Sequence, residues 1–588
     1  MVFSIGCGKQ DNKNKPDENG TEPKTENQIK NGTYKGSADG RGGEITVEVT
    51  IEDDVITAIE VVKQNETPGL DTAMNTLTSE ILEKNTLDLD VVSGATITSN
   101  AFLEAVTNAL KTANATPDML KKIDVSDTTV KKEDVTETHD IVVVGAGGAG
   151  FCAAIEAKAA GADVIILEKL PLAGGNTLIS GAEYAAAGNW LQEKEGIKDS
   201  PELHAEDMMK GGDNINDPEL VKVVTENALA GAEWLRDEIG VVWEDELMQF
   251  GGHSVKRSLV PKGASGREII SKQLKKAEEM NIPVLLETKA TELITDDNGK
   301  VIGVKAEGKD KNYTFNTNKA VIITTGGFGS NLEMRVKYNP EIDEKILSTN
   351  SPGSTGDGIV MAEKVGAALV DMEYIQTYPI CDPLTGTLLY FDDARLYGYT
   401  VIVNKEGKRF VEELGRRDVM SMAIKAQTGS VCYELMDQKA YEESHLEENH
   451  SAEIDYLFKN KLLVKADTLE EAAAFFDIDV DEFKKTVANY NKYVKDGKDP
   501  EFNKRSLPST IETAPFYIVK AVPAVHHTMG GIKINTNAQV INTDGKVIEG
   551  LYAAGEVTGG IHGTNRLGSD ALADITVFGR IAGQNASK

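Results

Sequence analysis

The stretch from His139 to Glu168 constrains this chain more than any other. Ile141 to Val144 is a short β-branched run, suited to a strand buried on both faces. Gly145, Gly147 and Gly150 follow in G-x-G-x-x-G spacing, then an Ala-rich segment, a second apolar run from Val164 to Leu167, and Glu168. The first glycine permits a tight turn, the second lets backbone approach a pyrophosphate, and the third lets the helix pack closely. The helix N-terminus then faces the phosphates, and Glu168 accepts from a ribose hydroxyl. A glycine triplet alone is common punctuation. Strand, turn, helix, strand and acid together specify a Rossmann-like dinucleotide-binding unit of α/β class.

The 588 residues allow several cores. A net charge of −32 argues against nucleic acid, whose phosphates need stripes of Lys and Arg. Cys7, Cys152, Cys381 and Cys432 have no paired spacing, so neither a disulfide framework nor a metal site is expected. No C-x-x-C-H haem motif occurs, and no apolar run approaches the roughly 20 residues of a membrane span. Ser4-Ile5-Gly6-Cys7 resembles the end of a bacterial lipoprotein signal with Cys7 as the acylated residue, although only Met1 to Phe3 precede it as an apolar stretch. We read this as a shortened leader; residues 1–29 are then a signal remnant and a polar tether. The expectation is an extracytoplasmic protein anchored by lipid to the outer face of the cell membrane.

Residues 30–115 are expected to form a small α+β domain. Gly36, Gly40, Gly42 and Gly43 punctuate its start; Ile45, Val47, Val49 and Ile51 alternate with polar residues; Val55 to Val62 reads as the partner strand of a hairpin. Thr67-Pro68-Gly69 breaks the pattern before a helical stretch. Asp90-Val91-Val92-Ser93-Gly94-Ala95-Thr96 then sets a hydroxyl at the start of an amphipathic segment, either as a helix cap or as a phosphate site. This D-x-x-S-G-A-T string resembles the attachment signature of FMN-binding domains, which implies FMN joined through its phosphate to Thr96 by an exported flavin transferase. Residues 116–137 read as a linker.

Beyond Glu168 come further glycine-dense loops: Gly174-Gly175-Asn176-Thr177 with Gly181, Thr325-Gly326-Gly327 after an apolar run, the loop at Asp357, and Gly555-Glu556. They lie on both sides of a long middle region, so one nucleotide domain is interrupted by an insertion. These strings, with Asn404–Phe410 (NKEGKRF), Arg416-Arg417-Asp418, His526–Gly531 (HHTMGG) and Asn565–Gly568, resemble the FAD-containing subunit of the fumarate reductase and succinate dehydrogenase superfamily. The resemblance is nearest to flavocytochrome c fumarate reductases, without their haem domain, and to urocanate reductases. It implies a Rossmann-like FAD-binding domain over residues 138–372 and 523–588, interrupted by an α+β capping domain over 373–522. It also implies non-covalent FAD held by these glycine loops, with Asn176, Thr177, Asp357 and Glu556 beside it.

Reducing an activated C=C bond needs a hydride, a proton donor, and cations that grip the substrate carboxylate. The resemblance assigns the hydride to FAD N5, carboxylate binding to His526 and Arg566, and proton donation to Arg417. Arginine chemistry alone would make Arg417 an anion clamp. A carboxylate and a second arginine relay protons in the family; Asp392 or Asp393, with Arg395, stands there. Tyr378 replaces a histidine that would hold the second carboxylate of fumarate, and Phe391 stands near the matching threonine. An aromatic, phenol-bearing end suits a flat ring better than a second anion. The expectation is an oxidoreductase acting on CH–CH groups in anaerobic respiration, reducing a 2-enoate, with urocanate the leading substrate. A fumarate or other aryl-acrylate reductase is the alternative, and a flavin-only electron-transfer protein the reading from another class. Electrons would enter FMN from a membrane-linked donor such as a quinol oxidoreductase or a flavin or haem protein.

Overall fold

The computed structural model describes residues 29–40, 43–66, 72–92, 95–123 and 132–588. Cys7, the tether, the Thr67-Pro68-Gly69 break, and Ser93-Gly94 lie outside the described residues, and of Thr96 only the backbone is described. The chain divides into a small unit, Met1–Glu66 with Met74–Val91 and Ile97–Asp127, and a large one, Thr128–Lys588 with Thr67–Ala73 and Val92–Thr96.

The small unit is a meander of three antiparallel strands, Gly32–Gly40, Gly43–Glu52 and Val55–Lys63, with helices Thr72–Lys84 and Thr96–Thr112. Alternation in the middle strand sends Ile45, Val47, Val49 and Ile51 into a core shared with Leu77, Ile81, Phe102 and Val106. Gly36 and Gly40, read as punctuation, lie within the first strand, and Gly43 opens the second. Gly36 is required there because a Cβ would lie 2.2 Å from the Ala105 carbonyl of the crossing helix. At the start of that helix the Thr98 hydroxyl donates to buried Glu66.

In the large unit the expected strand–turn–helix–strand is present as Glu133–Val144, Gly148–Ala159 and Val164–Leu167. The first strand begins inside the segment read as a linker, because Glu133 to Thr138 pair in parallel with Lys311 to Asn316. The main sheet runs Lys289–Thr295, Val301–Glu307, Lys311–Ile323, Glu133–Val144, Val164–Leu167, Val284–Leu285. After the insertion the chain returns to this sheet: strand Val547–Ala553 pairs in parallel with the end of Lys311–Ile323. The last helix, Asp570–Ala586, packs on Gly148–Ala159 through Gly579 and Gly583, whose Cβ atoms would lie 2.7 and 2.2 Å from the carbonyls of Ala149 and Ala153.

The insertion is built on one long strand, Phe516–Thr528. Its first half pairs with Cys432–Asp437 and Leu463–Ala466, and its second half with Ile375–Cys381 and Leu347–Ser348. The boundary expected between residues 522 and 523 therefore falls inside a continuous strand. Its C-terminal end delivers His526 and Thr528 from the insertion to the nucleotide domain. Among the described residues, no helix is long and apolar enough to cross a membrane.

Helix propensity alone favours Ala over Gly by about 0.8–1.0 kcal/mol at an interior helix position. The backbone contact at Gly583 reverses that sign. Gly583→Ala is expected to lower unfolding free energy by about 1 kcal/mol or more, measured by urea denaturation.

Candidate functional site

A groove opens over the glycine-rich turn. Gly145 adopts φ +108°, and a Cβ there would lie 2.5 Å from the Thr324 carbonyl; one on Gly150 would lie 2.0 Å from the Gly145 carbonyl. Gly147 differs. A Cβ on it would meet nothing closer than 3.9 Å, so it faces the groove. It is also the N-cap of helix Gly148–Ala159, with no side chain capping that end. Free helix N–H groups beside an open glycine suit a pyrophosphate. Glu168, on the same groove, accepts from the amides of Ala146 and Leu170 at 2.9 Å each, which fixes its carboxylate at the groove wall. The residues present fit FAD.

The other loops divide the work. Gly174 (φ +123°) and Gly175 (φ +51°) turn the chain beside Gly147, and Thr177 lines the groove. Asn176 Nδ2 donates to Glu556 Oε2 at 2.9 Å, and its Oδ1 accepts from the Ser351 amide at 2.7 Å. Glu556 also accepts from the Thr528 amide at 3.0 Å. Thr325 and Gly326 line the groove, whereas Gly327 is packed against Thr528 and Glu556. Asp357 lies at the groove wall, paired with Lys169 at 2.5 Å and Lys289 at 3.4 Å. Gly181 has Glu183 folded back over it.

Five side chains named from the sequence meet at the junction of insertion and nucleotide domain. The Arg417 guanidinium lies 4.8 Å over the Tyr378 ring, and that ring is 5.4 Å from His526. Tyr378 Oη donates to Asp392 Oδ2 at 2.7 Å. Asp392 also receives Arg395 Nε and Nη2, both at 2.6 Å, in a pair buried on both sides. Burial works against the Arg395 charge, and the bidentate carboxylate outweighs it. Asp392 is therefore the acid joined to Tyr378 and Arg395, while Asp393 points elsewhere, 3.9 Å from His450.

Arg566 comes from the other side. It is 7% exposed; Nη1 donates to the Leu567 carbonyl at 2.9 Å, and Nε has no partner. Burial, then the charge of Arg417, pushes its guanidinium down to about 10. Among the described residues, neither Arg417 nor Arg566 has a carboxylate within 4 Å. Burial, then Arg566 and Arg417, pushes His526 well below its ordinary value, so it is neutral. Its Nδ1 lies 3.0 Å from Thr349 Oγ1; with that hydroxyl donating, the Nε2 proton is left to meet an anion. Two guanidinium groups without a carboxylate partner and a neutral imidazole lie together at this junction. Such an arrangement binds a carboxylate.

The structure adds residues that the sequence did not single out, and it places Phe391, fully buried, in the core of the insertion in one cluster with Tyr378, Ile380, Ala394 and Met420. The Tyr390 and Phe391 amides donate to Glu453 at 3.0 and 2.9 Å, which turns the ring inward. Glu183 faces Arg417 and Arg566; burial raises its carboxyl and the two arginines oppose that rise. Its only sequence signal is a lone acid in the run Gly181-Ala182-Glu183-Tyr184-Ala185-Ala186. Gln376, two residues before Tyr378, donates to Asn565 Oδ1 and the Arg566 carbonyl, both at 2.7 Å. Behind Arg566, Arg257 donates to His253 Nδ1 at 2.8 Å, so His253 gives its Nε2 proton to the Gly568 carbonyl at 2.8 Å. His204 pairs with Asp570 at 2.9 Å, and the two contacts fix the loop beneath Arg566.

Comparison with known proteins follows this geometry. Residues 140–572 match the FAD binding domain family and residues 40–111 the FMN-binding domain family. The chain is 49% identical to a urocanate reductase of Eggerthella lenta, over 94% of this chain and 92% of that one. It is 41% identical to a cytochrome-type fumarate reductase of Shewanella frigidimarina, over 77% of each. Among solved structures, the open conformation of a flavocytochrome c3 fumarate reductase superposes with a TM-score of 0.69 at 40% identity, covering 77% of this chain and 78% of that one.

Asp393 gives the site a pH signature. Burial, then the charges of Asp392 and Glu183, raises its carboxyl to about 7, while an unfolded aspartate titrates near 3.9. The folded state holds this proton where the unfolded state has lost it, so the contribution to stability falls as pH rises from about 4 to about 7 and is level above. Its 37% side-chain exposure damps the size of the effect. Asp393→Asn is expected to remove that fall, gaining on the wild type between pH 4 and 7 in unfolding curves taken across pH.

Proposed function

The chain belongs to the flavin-dependent fumarate reductase and urocanate reductase family, as an oxidoreductase that acts on C=C bonds with an FAD-binding and an FMN-binding domain, and we propose that its substrate is a ring-bearing 2-enoate, urocanate before all others. The observation that carries this is the polarity of the cavity. At one end stand Arg566, Arg417 and neutral His526, with Glu183 facing the two arginines; at the other, Tyr378 is bonded to Asp392. A second carboxylate placed at that end would be buried without a partner, at a cost of several kcal/mol. An imidazole has hydrogen-bonding groups to offer there.

Bound FAD supplies the hydride. The chain's own residues do the rest. His526 and Arg566 grip the carboxylate and draw negative charge toward it as the double bond is reduced. Arg417, held over the Tyr378 ring, gives a proton to the other carbon. Tyr378, Asp392 and Arg395 are hydrogen-bonded to one another beside it, and Arg417 meets this group over the face of the Tyr378 ring, which favours Asp392 over Asp393 as the acid that returns the proton. Gln376 holds the Arg566 backbone in register with Tyr378. Fumarate is the second reading, supported by the relatives that reduce it.

Reduced methyl viologen as donor, with urocanate, fumarate and cinnamate as acceptors, tests the substrate. Urocanate should give a kcat/KM at least about a hundredfold above fumarate, since an unpaired buried carboxylate costs several kcal/mol. A preference for fumarate would overturn the ring assignment. Electron entry is a separate proposal: FMN on Thr96 passes electrons onward from a membrane-linked donor. Thr96→Ala should abolish turnover with the physiological donor and leave FAD content unchanged, with surviving turnover counting against the relay.

A further inference from the structure

Arg417 and Arg566 share a cavity, and each raises the electrostatic cost of the other; Arg417 lowers the Arg566 pKa. Something must hold them together before a substrate carboxylate arrives. Glu183 faces both arginines from within the site, where burial works against its charge and where a carboxylate competes with the substrate. A carboxylate outside the site, joined to the neighbours of both arginines, would not compete.

Asp213 occupies that position. It follows helix Pro201–Gly211 in the left-handed region, at φ +58°. Its Oδ1 and Oδ2 both accept from Arg416 Nη1 at 3.1 Å, and Oδ2 also accepts from the Thr564 hydroxyl. Arg416 is the residue before Arg417 and the N-cap of helix Arg417–Lys425. Thr564 lies two residues before Arg566, and its amide donates to the Gly212 carbonyl at 3.2 Å. The rest of the Arg416 fork is held by Asp418, from Nε at 2.9 Å and Nη2 at 2.6 Å. The guanidinium is thus clamped in one plane between two carboxylates. It is 41% exposed and lies outside the pocket.

We propose that Asp213 is a positioning residue: by bridging Arg416 and Thr564 it sets the spacing of Arg417 and Arg566, so that both meet one substrate carboxylate. The inference rests on the enoate reading for what the two arginines grip, and on the hydrogen bonds alone for how they are held.

The test uses the full flavin-loaded chain. Alanine would add strain at the positive φ of residue 213, whereas asparagine tolerates it, so the variant is Asp213→Asn. Asp213→Asn and Arg416→Gln should each lower kcat/KM on urocanate about fivefold or more, mostly through KM, as expected for a part-exposed ion pair that also aligns the site. The double variant should lose no more than the worse single one, and Arg416→Lys should recover most of the loss. Wild-type kcat/KM should fall with added salt more steeply than that of Asp213→Asn. Hydrogen exchange, independent of turnover, should quicken together in residues 417–425 and 563–567 of Asp213→Asn, with FAD content and melting temperature unchanged. Single variants within about twofold of wild type, additive losses in the double variant, or unchanged exchange would each overturn the inference. Should the wild type reduce no enoate, the functional reading fails instead, and the exchange measurement still decides this one.

Discussion

Two like charges set close together, neither with a carboxylate within 4 Å among the described residues, are the constraint that the large unit is arranged around. A guanidinium does not shed its proton at ordinary pH, so Arg566 and Arg417 cannot relieve their repulsion by neutralising. The fold relieves it by placement. A tyrosine ring lies under one arginine, a carbonyl accepts from the other, and the imidazole between them is uncharged. The Arg395 charge nearby is taken up by Asp392. What is left over is a positive site able to take an acid group.

Holding such a site requires that two parts of the chain far apart in sequence arrive in register. The strand Phe516–Thr528 accomplishes this by belonging to both, pairing with the insertion along its first half and ending at His526 beside the nucleotide domain. Glu556 extends the same logic. It accepts from Thr528 and from Asn176, tying the strand end to the glycine loop next to the dinucleotide turn. An error at either end of these connections would move the carboxylate grip relative to the flavin groove, and errors of about 1 Å are enough to lose much of a reaction rate.

What could be read from the residues alone follows from how local each requirement is. Gly145, Gly147 and Gly150 were legible because a tight turn, an open face and a close helix are demanded within six positions of one another. The alternation around Ile45 to Ile51 was legible for the same reason. Strand Gly32–Gly40 was not, since the need for Gly36 comes from a helix more than sixty residues away. Tyr378 and Phe391 looked alike as aromatic pocket walls; Glu453, distant in sequence, turns only Phe391 inward. Glu183 and Asp213 were hidden differently. Each is one acid among 94, and nothing but the fold distinguishes it from a solvated surface charge. Asp392 and Asp393 could not be separated by spacing, and the pairing with Tyr378 and Arg395 does separate them.

The same geometry sorts one arene from another. Asp392 is occupied by Arg395 and Tyr378, and Asp393 points away toward His450. The Tyr378 oxygen, having given its hydrogen to Asp392, keeps its lone pairs and is an acceptor. A ring that carries an N–H has a proton to offer that oxygen, and a phenyl ring of similar size has none. A site built to hydrogen-bond its substrate rejects the analogue lacking the group by factors of about 10⁴. On the proposed reading, that is what separates an imidazole-bearing acrylate from a phenyl-bearing one.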